Sequence, residues 1–327
     1  MLAVLTQTVP FFALIGMGYV AGRPGFFSQA ATAALTRFVF YFALSALIFR
    51  FSAKLQLGDV FDWSFILAYL AGTSAVYLLV TAVALIRLRG IEEAAVEAQC
   101  GVIGNSGFLG IPLLAMLMGE AAIGPVVMVL AVDLAVFSSL IVILITGHRD
   151  GRISPRALGT IGRGLMTNPM IVSIVLGFLW SSTGAPLPGP VNQFMVILGA
   201  AATPGALFAI GASLAGKSAE RLSVAAWLST AKLVLHPAAV AVMALLVFPV
   251  EPFAASVMIA AAALPVAGNV YILAQHYGVA PPRVSASILV STSLSILTLS
   301  AVISWVGTCS SPTPLPAPPT RRSRRSP

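Results

Sequence analysis

Two stretches of the sequence interrupt long apolar runs with glycine, asparagine and proline, at residues 101–112 (GVIGNSGFLGIP) and 263–274 (ALPVAGNVYILA). Inside a bilayer, a backbone can leave the helical hydrogen-bond pattern only where it is buried in protein or lines a wet cavity. A half-helix that begins at such a break presents free N–H groups and a partial positive charge, which suit a carboxylate. Two interrupted hydrophobic segments in corresponding halves of a chain indicate a transporter's binding site. We therefore predict a site for a small organic anion where the two stretches meet.

The predicted substrate-binding residues lie in or beside these two stretches. They are Asn105, Ser106, Gly107, Pro112, Pro265, Gly268, Asn269 and Tyr271. The two asparagines offer amide donors to a substrate, or instead satisfy backbone groups that the breaks leave free. The glycines permit an unwound backbone. Pro112 and Pro265 each remove a backbone donor and are expected to force the breaks.

Three ionisable residues at predicted membrane depth are the candidates for ion or proton coupling: Asp133, Lys232 and His236. Charges inside a membrane are costly, so each is a functional hypothesis by default. Asp133 is suited to carry a proton, or a sodium ion together with backbone carbonyls, or else to form a static pair. Lys232 and His236 lie four residues apart on one helix face. Two roles are open for Lys232: it balances the charge of the substrate, or it pairs with Asp133. Two are also open for His236: it transfers protons, or it is a structural group.

The composition is that of a polytopic membrane protein: 58% of the 327 residues are hydrophobic, 9% are charged, and the mean hydropathy is +0.99. The net charge of +8 comes from basic residues between the apolar runs and in the tail, so no nucleic-acid partner is implied. Two cysteines and three histidines without acidic neighbours give no disulfide framework and no metal site. We expect no cofactor other than H⁺ or Na⁺ as a coupling ion.

Ten apolar segments are long enough to cross a bilayer about 30 Å thick. They lie near residues 2–21, 30–50, 64–86, 97–118, 121–146, 166–183, 190–214, 223–247, 254–276 and 284–306. The last twenty residues are rich in proline and arginine, so residues 308–327 are predicted to be a disordered tail.

The two halves of the chain are weakly similar to each other. A shift of 159 places, without a gap, puts Pro10 on Pro169 and Gly18 on Gly177, and lays residues 111–119 over 270–278. Because each half then holds an odd number of spans, the second copy must insert upside down. We predict an all-α integral membrane protein of ten transmembrane helices. Residues 1–146 form the first five-helix repeat, 147–164 a cytoplasmic connecting loop and 165–307 the second, inverted repeat, with helices four and nine broken where they cross.

The distribution of basic residues predicts the orientation. Ten of them follow odd-numbered spans: Arg23, Arg87, Arg89, Arg149, Arg152, Arg156, Arg163, Lys217, Arg221 and Arg283. The other side has Arg50 and Lys54 before the tail, although the tail itself carries four arginines. We predict that the protein lies in the inner membrane. The positive-inside rule then places the loops after odd-numbered spans in the cytoplasm and both termini in the periplasm.

The run from Gly104 to Leu113, GNSGFLGIPL, resembles the signature of the auxin efflux carrier family, whose bacterial members include malate and malonate permeases. Asn168-Pro169, the PGAL run at 204–207 and Leu264-Pro265 fit the same family. The resemblance implies ten spans in two inverted repeats, a scaffold part and a transport part, a substrate site at the crossing of spans four and nine, and a homodimer. Ser45 and Val270 stand where relatives carry proline, which leaves the geometry of the crossing open.

We therefore predict a secondary transporter, or a potential-driven uniporter, of small organic anions such as malate, malonate or auxin-like acids, acting by alternating access. The alternative is a cation/proton antiporter of the same fold, although both crossing segments lack acidic residues. An intramembrane enzyme is disfavoured because Ser106 has no companion base in the sequence.

Overall fold

The structure is a computed structural model that describes residues 2–54, 62–150, 159, 162–164, 166–216 and 222–309. The regular secondary structure of these ranges is entirely helical, apart from one isolated β-bridge between Gly104 and Val266. The all-α prediction is confirmed for this part of the chain. Much of the predicted loop at 147–164 and nearly all of the predicted tail at 308–327 lie outside the described residues.

The helices follow one another with short connections. In chain order they are α1 (Leu2–Gly22), α2 (Gln29–Ser52), α3 (Trp63–Ile86), α4 (Ile91–Val102), α5 (Ser106–Met118), α6 (Glu120–Arg149), α7 (Pro169–Ser181), α8 (Gly189–Ala215), α9 (Leu222–Val247), α10 (Pro252–Ala262), α11 (Gly268–Tyr277) and α12 (Pro281–Cys309). Six of those described, namely α2, α3, α6, α8, α9 and α12, are long and apolar enough to cross a membrane. The chain is accordingly a multi-pass membrane protein.

Each predicted span coincides with one helix, or with a pair of helices at the two predicted breaks. Span four divides into α4 and α5, and span nine into α10 and α11. Span four begins at Ile91 rather than near residue 97, because Gly90 caps the helix in an extended conformation and Glu92 and Glu93 fill its first turn. That ten spans cross the membrane as inverted repeats stays a prediction.

Several helices begin at residues whose side chains accept a backbone hydrogen bond. Ser28 accepts from the N–H of Ala31, and Asp62 from that of Ser64. Glu251 accepts from the N–H groups of Phe253 and Ala254. These caps satisfy donors that a helix N-terminus would otherwise leave free, so they fix where the helices start.

The helices pack in two groups. The first group consists of α1, α2, α7 and α8, and the second of α3 to α6 and α9 to α12. In the first group α1 and α8 approach closely because glycines face backbone: a Cβ on Gly18 would clash with the carbonyl oxygen of Phe208, and one on Gly211 with that of Ile15. The groups touch where α1 and α8 meet α5 and α12, and where α2 meets α6.

Candidate functional site

The two helix interruptions contact each other directly. Gly104 and Val266 form the antiparallel bridge at the crossing. On either side of this bridge, the N–H of Asn105 donates to the carbonyl oxygen of Pro265 at 2.9 Å, and the N–H of Ala267 donates to that of Ile103 at 3.1 Å. Backbone groups that leave the helical ladder thus find partners in the other break, as a buried environment requires.

The two prolines contribute differently to the breaks. Pro265 lies inside the second interruption and accepts from Asn105. Pro112 lies in the first turn of the regular part of α5, after a π-helical turn at Ser106–Gly110. The expectation that Pro112 forces the first break is wrong, because the chain leaves the helix at Ile103, well before the proline. Gly104 permits the close approach there, since its Cβ position lies 3.3 Å from the carbonyl oxygen of Ala261.

The helices that begin after the breaks are α5 and α11. The surroundings of their N-termini differ. A Cβ on Gly107 would lie 2.9 Å from the Cε of Met170, so α7 covers the start of α5. Gly268, the first residue of α11, is exposed, and a Cβ there would meet no atom within 4 Å. The described residues therefore leave the positive end of α11 uncovered, whereas α7 covers that of α5.

Two polar atoms at these N-termini are buried without a hydrogen-bond partner in the described part of the chain: Ser106 Oγ and Asn269 Oδ1. Asn105 is 8% exposed, and its carbonyl accepts from the N–H groups of Leu109 and Gly110. Tyr271 is half-buried on α11 and its hydroxyl accepts from the Nε2 of Gln275 at 3.0 Å. Unsatisfied buried polar atoms are costly, so this region has capacity for a polar ligand.

A buried polar cluster lies next to the crossing and contains all three predicted coupling residues. Asp133 Oδ1 accepts from the hydroxyl of Tyr69 at 2.8 Å, and its Oδ2 has no partner among the described residues. His236 Nε2 lies 3.0 Å from Thr73 Oγ1, and its Nδ1 lies 3.0 Å from Lys232 Nζ. The cluster joins α3, α6 and α9. Asp133 and the His236–Lys232 pair each adjoin a π-helical turn, a feature often found at functional sites.

Lys232 connects this cluster to the crossing. Its ammonium donates to the carbonyl oxygen of Ala262, the last residue of α10, and its Cε lies 3.4 Å from the Cβ position of Gly104. Lys232 and Asp133 interact electrostatically, but no ion pair within 4 Å joins them in the described structure. The two predicted sets of residues, for substrate and for coupling, are thus adjacent.

Several residues of this region escape sequence reasoning. Tyr69 and Thr73 are neutral residues in an apolar helix and give no signal beyond their four-residue spacing. Glu97 gives no signal in the sequence either, yet it lies in α4 and is 2% exposed. Its carboxylate accepts from Arg283 Nη1 at 2.9 Å, which joins α4 to α12.

A second ion pair lies at the same end of the helices. Arg149 makes a bidentate contact with Glu92, and its Nη2 also donates to the carbonyl oxygen of Tyr277 at the end of α11. These contacts fasten α4, α6 and α11 to one another.

Apolar helices that break and meet around a buried charged cluster are an arrangement found in secondary transporters. Residues 3–303 match the family of membrane transport proteins, and the chain belongs to that family. It is 31% identical over 299 residues to a putative malonate transporter of Rhizobium meliloti (strain 1021), across 90% of this chain and 93% of the relative. The resemblance to the auxin efflux carrier family is confirmed.

Proposed function

We propose that this protein carries a small dicarboxylate, malonate or malate, across the inner membrane by alternating access. The observation that carries the proposal is the uncovered N-terminus of α11, where exposed Gly268 begins the helix beside the meeting point of two broken helices. The name of the Rhizobium relative supports a malonate-like substrate. Auxin-like aromatic acids are the less favoured substrates.

The chemistry of the crossing suits a carboxylate. Free N–H groups in the first turn of α11 point their partial positive charge toward the crossing. The amides of Asn105 and Asn269 supply further donors, and the Ser106 hydroxyl is available to a second carboxylate if α7 withdraws. No cation needs to contact the anion directly, because the helix end supplies the field.

Alternating access is supported by a difference between repeat-related helices. α5 packs against α1 and α8 of the first group, whereas α11, its counterpart under the shift of 159, packs against α4 and α12 of its own group. The shift of 159 also relates two close contacts. Gly18 faces the carbonyl oxygen of Phe208, and a Cβ on Gly177 would lie 2.9 Å from the carbonyl oxygen of Phe49. Gly119 and Gly278, also repeat-related, both have positive φ, at 90° and 69°. We propose that α5 and α11 alternate in docking against the first helix group, and that this exchange opens the site to one side of the membrane and then to the other.

In this scheme α11 is the half-helix that is not docked against the first helix group, and its C-terminal end marks one side of the membrane. That end adjoins Arg149 and Arg283, which the positive-inside rule places in the cytoplasm, with both termini in the periplasm. The first helix group is then the scaffold and the surface through which we propose that two copies pair.

For coupling, we propose a proton carried by Asp133. The groups that face it are the Tyr69 hydroxyl and the cation of Lys232, with His236 next in the cluster. The alternative is a uniporter, since a membrane potential supplies about 2.3 kcal/mol per charge per 100 mV.

The test is uptake of labelled malonate, malate and indole acetate by proteoliposomes, with and without an imposed pH gradient. We expect saturable uptake of a dicarboxylate, loss of uptake in Asn105→Ala and Asn269→Ala, and no loss in the control Asn192→Ala, whose side chain contacts Arg50 away from the crossing. A response to the gradient would support proton coupling, and its absence would support uniport.

A second candidate function is a cation/proton antiporter, favoured by the unpartnered Oδ2 of Asp133 beside Lys232. It predicts proton release driven by a sodium gradient in liposomes that contain no organic anion. That result, without uptake of any of the three acids, would replace the anion proposal.

A further inference from the structure

The Lys232 side chain is the only fully buried lysine in the described part of the chain, with 0% exposure. Its ammonium donates to the carbonyl oxygen of Ala262, at the C-terminal end of α10, and lies 3.0 Å from His236 Nδ1. Its stem packs against Gly104 in the other break. One lysine side chain therefore contacts both interrupted helices where they leave the helical ladder, with its ammonium on α10 and its stem on Gly104.

The end of α10 is the kind of place where transporters hold a metal ion. The last carbonyl groups of a helix have no partner within the helix and carry a partial negative charge. In transporters with interrupted helices, half-helix C-terminal ends and unwound carbonyls coordinate the coupling sodium ion. Here an ammonium group already satisfies one of these carbonyls.

The contacts of Lys232 argue against two other roles. A counter-charge that binds substrate directly would need access, and this side chain has none. A static partner of Asp133 would lie within 4 Å of its carboxylate, yet Asp133 instead accepts from Tyr69. The ammonium is directed at the backbone of α10.

We infer that the Lys232 ammonium is a resident cation that replaces a coupling sodium ion at the crossing, so that transport requires no Na⁺. The inference rests on the proposed anion transport and specifies its ion requirement. It also predicts that removing the ammonium creates a vacant cation site bounded by the Ala262 carbonyl, which a small external cation can fill.

The transport test compares the intact chain with Lys232→Ala in proteoliposomes, using labelled malonate in sodium or choline chloride. We expect the intact chain to transport equally in both salts. Lys232→Ala should lose at least about tenfold in choline, the scale of a lost hydrogen bond to a charged group. Added Na⁺ or ethylammonium should restore uptake, whereas the uncharged control n-propanol should not.

Three results would overturn the inference. They are sodium-stimulated uptake by the intact chain, full uptake by Lys232→Ala in choline, and rescue by n-propanol equal to that by ethylammonium. The last would mean that the variant lacks only volume, not charge.

Thermal unfolding in detergent provides a readout that needs no transport. Sodium chloride, compared with choline chloride, should raise the unfolding temperature of Lys232→Ala and leave that of the intact chain unchanged. Sodium stabilisation of the intact chain would contradict the inference. If the intact chain transports no acid in either salt, the proposed function fails, while the unfolding measurement still decides whether Lys232 replaces sodium.

Discussion

At the residue scale, Glu97, Asp133 and Lys232 each contact a partner on another helix. Glu97 is held by Arg283, Asp133 by the Tyr69 hydroxyl, and Lys232 by the end of α10. The separations along the sequence are long, 186 residues for Arg283 and Glu97. Such partners cannot be read from local spacing, which is why the sequence identified Asp133 and Lys232 but not what they contact.

The Arg283–Glu97 pair predicts a large effect on stability. Arg283→Ala would leave Glu97 buried without a counter-charge, and breaking a buried pair in this way costs about 3–5 kcal/mol. The half-exposed pair between Arg89 and Glu93, with an N–O distance of 3.9 Å, is the control. Arg89→Ala should cost less than about 1 kcal/mol. Chemical or thermal unfolding in detergent measures both, and equal effects would contradict the buried role.

We predict that proton coupling depends on the carboxylate of Asp133. Asp133→Asn keeps an oxygen that accepts from Tyr69 but removes the titratable group. We expect malonate uptake by this variant to lose its response to an imposed pH gradient. Asp62→Asn is the matched control, because Asp62 caps α3 far from the cluster and asparagine caps equally well. An unaltered gradient response in Asp133→Asn would exclude this carboxylate as the proton carrier.

At the element scale, the positions of the breaks follow from local chemistry and their pairing does not. Glycine, asparagine and proline mark where a helix is difficult to continue, so both interruptions are predictable from residues 101–112 and 263–274. The bridge of Gly104 to Val266 depends on how the helices pack. The expectation that Pro112 forces the break is wrong for a related reason: it lies in the first regular turn of α5, where a proline is tolerated.

The contact between α1 and α8 predicts a difference between two glycines of one helix. Gly18→Ala would force a methyl group against the Phe208 carbonyl, and such overpacking typically costs about 1–3 kcal/mol. Gly16→Ala is the control, since nothing lies within 4 Å of its Cβ position and alanine favours the helix. Unfolding temperatures in detergent should fall for Gly18→Ala and hold or rise for Gly16→Ala. Similar values for both would contradict the close packing.

At the scale of the whole molecule, the two helix groups meet unequally. Phe108 of α5 stacks on Phe40 of α2 with ring centroids 6.1 Å apart, whereas α11 packs only within its own group among the contacts described above. The sequence shift of 159 indicated that α5 and α11 are related, but a sequence contains no information on which of them is docked in a given state. That asymmetry is a property of the three-dimensional structure.

The Phe40–Phe108 contact must break if the site is to open on the other side. In a background with both native cysteines replaced, cross-linking Phe40→Cys to Phe108→Cys should abolish malonate uptake, and a reductant or cleavable linker should restore it. Each single cysteine variant, treated identically, controls for modification alone. Undiminished uptake by the cross-linked protein would contradict movement of one group against the other.

The central claim, that an organic anion binds at the open N-terminus of α11, is tested most directly by chemical protection of Gly268→Cys. The position is exposed with free space around its Cβ, so a cysteine fits there. We predict that malonate slows labelling of this cysteine by a maleimide, with half-protection at the concentration that half-saturates uptake. Ile272→Cys, 62% exposed one turn further along α11, should be protected less. Labelling of Gly268→Cys at the same rate with and without malonate would contradict the account.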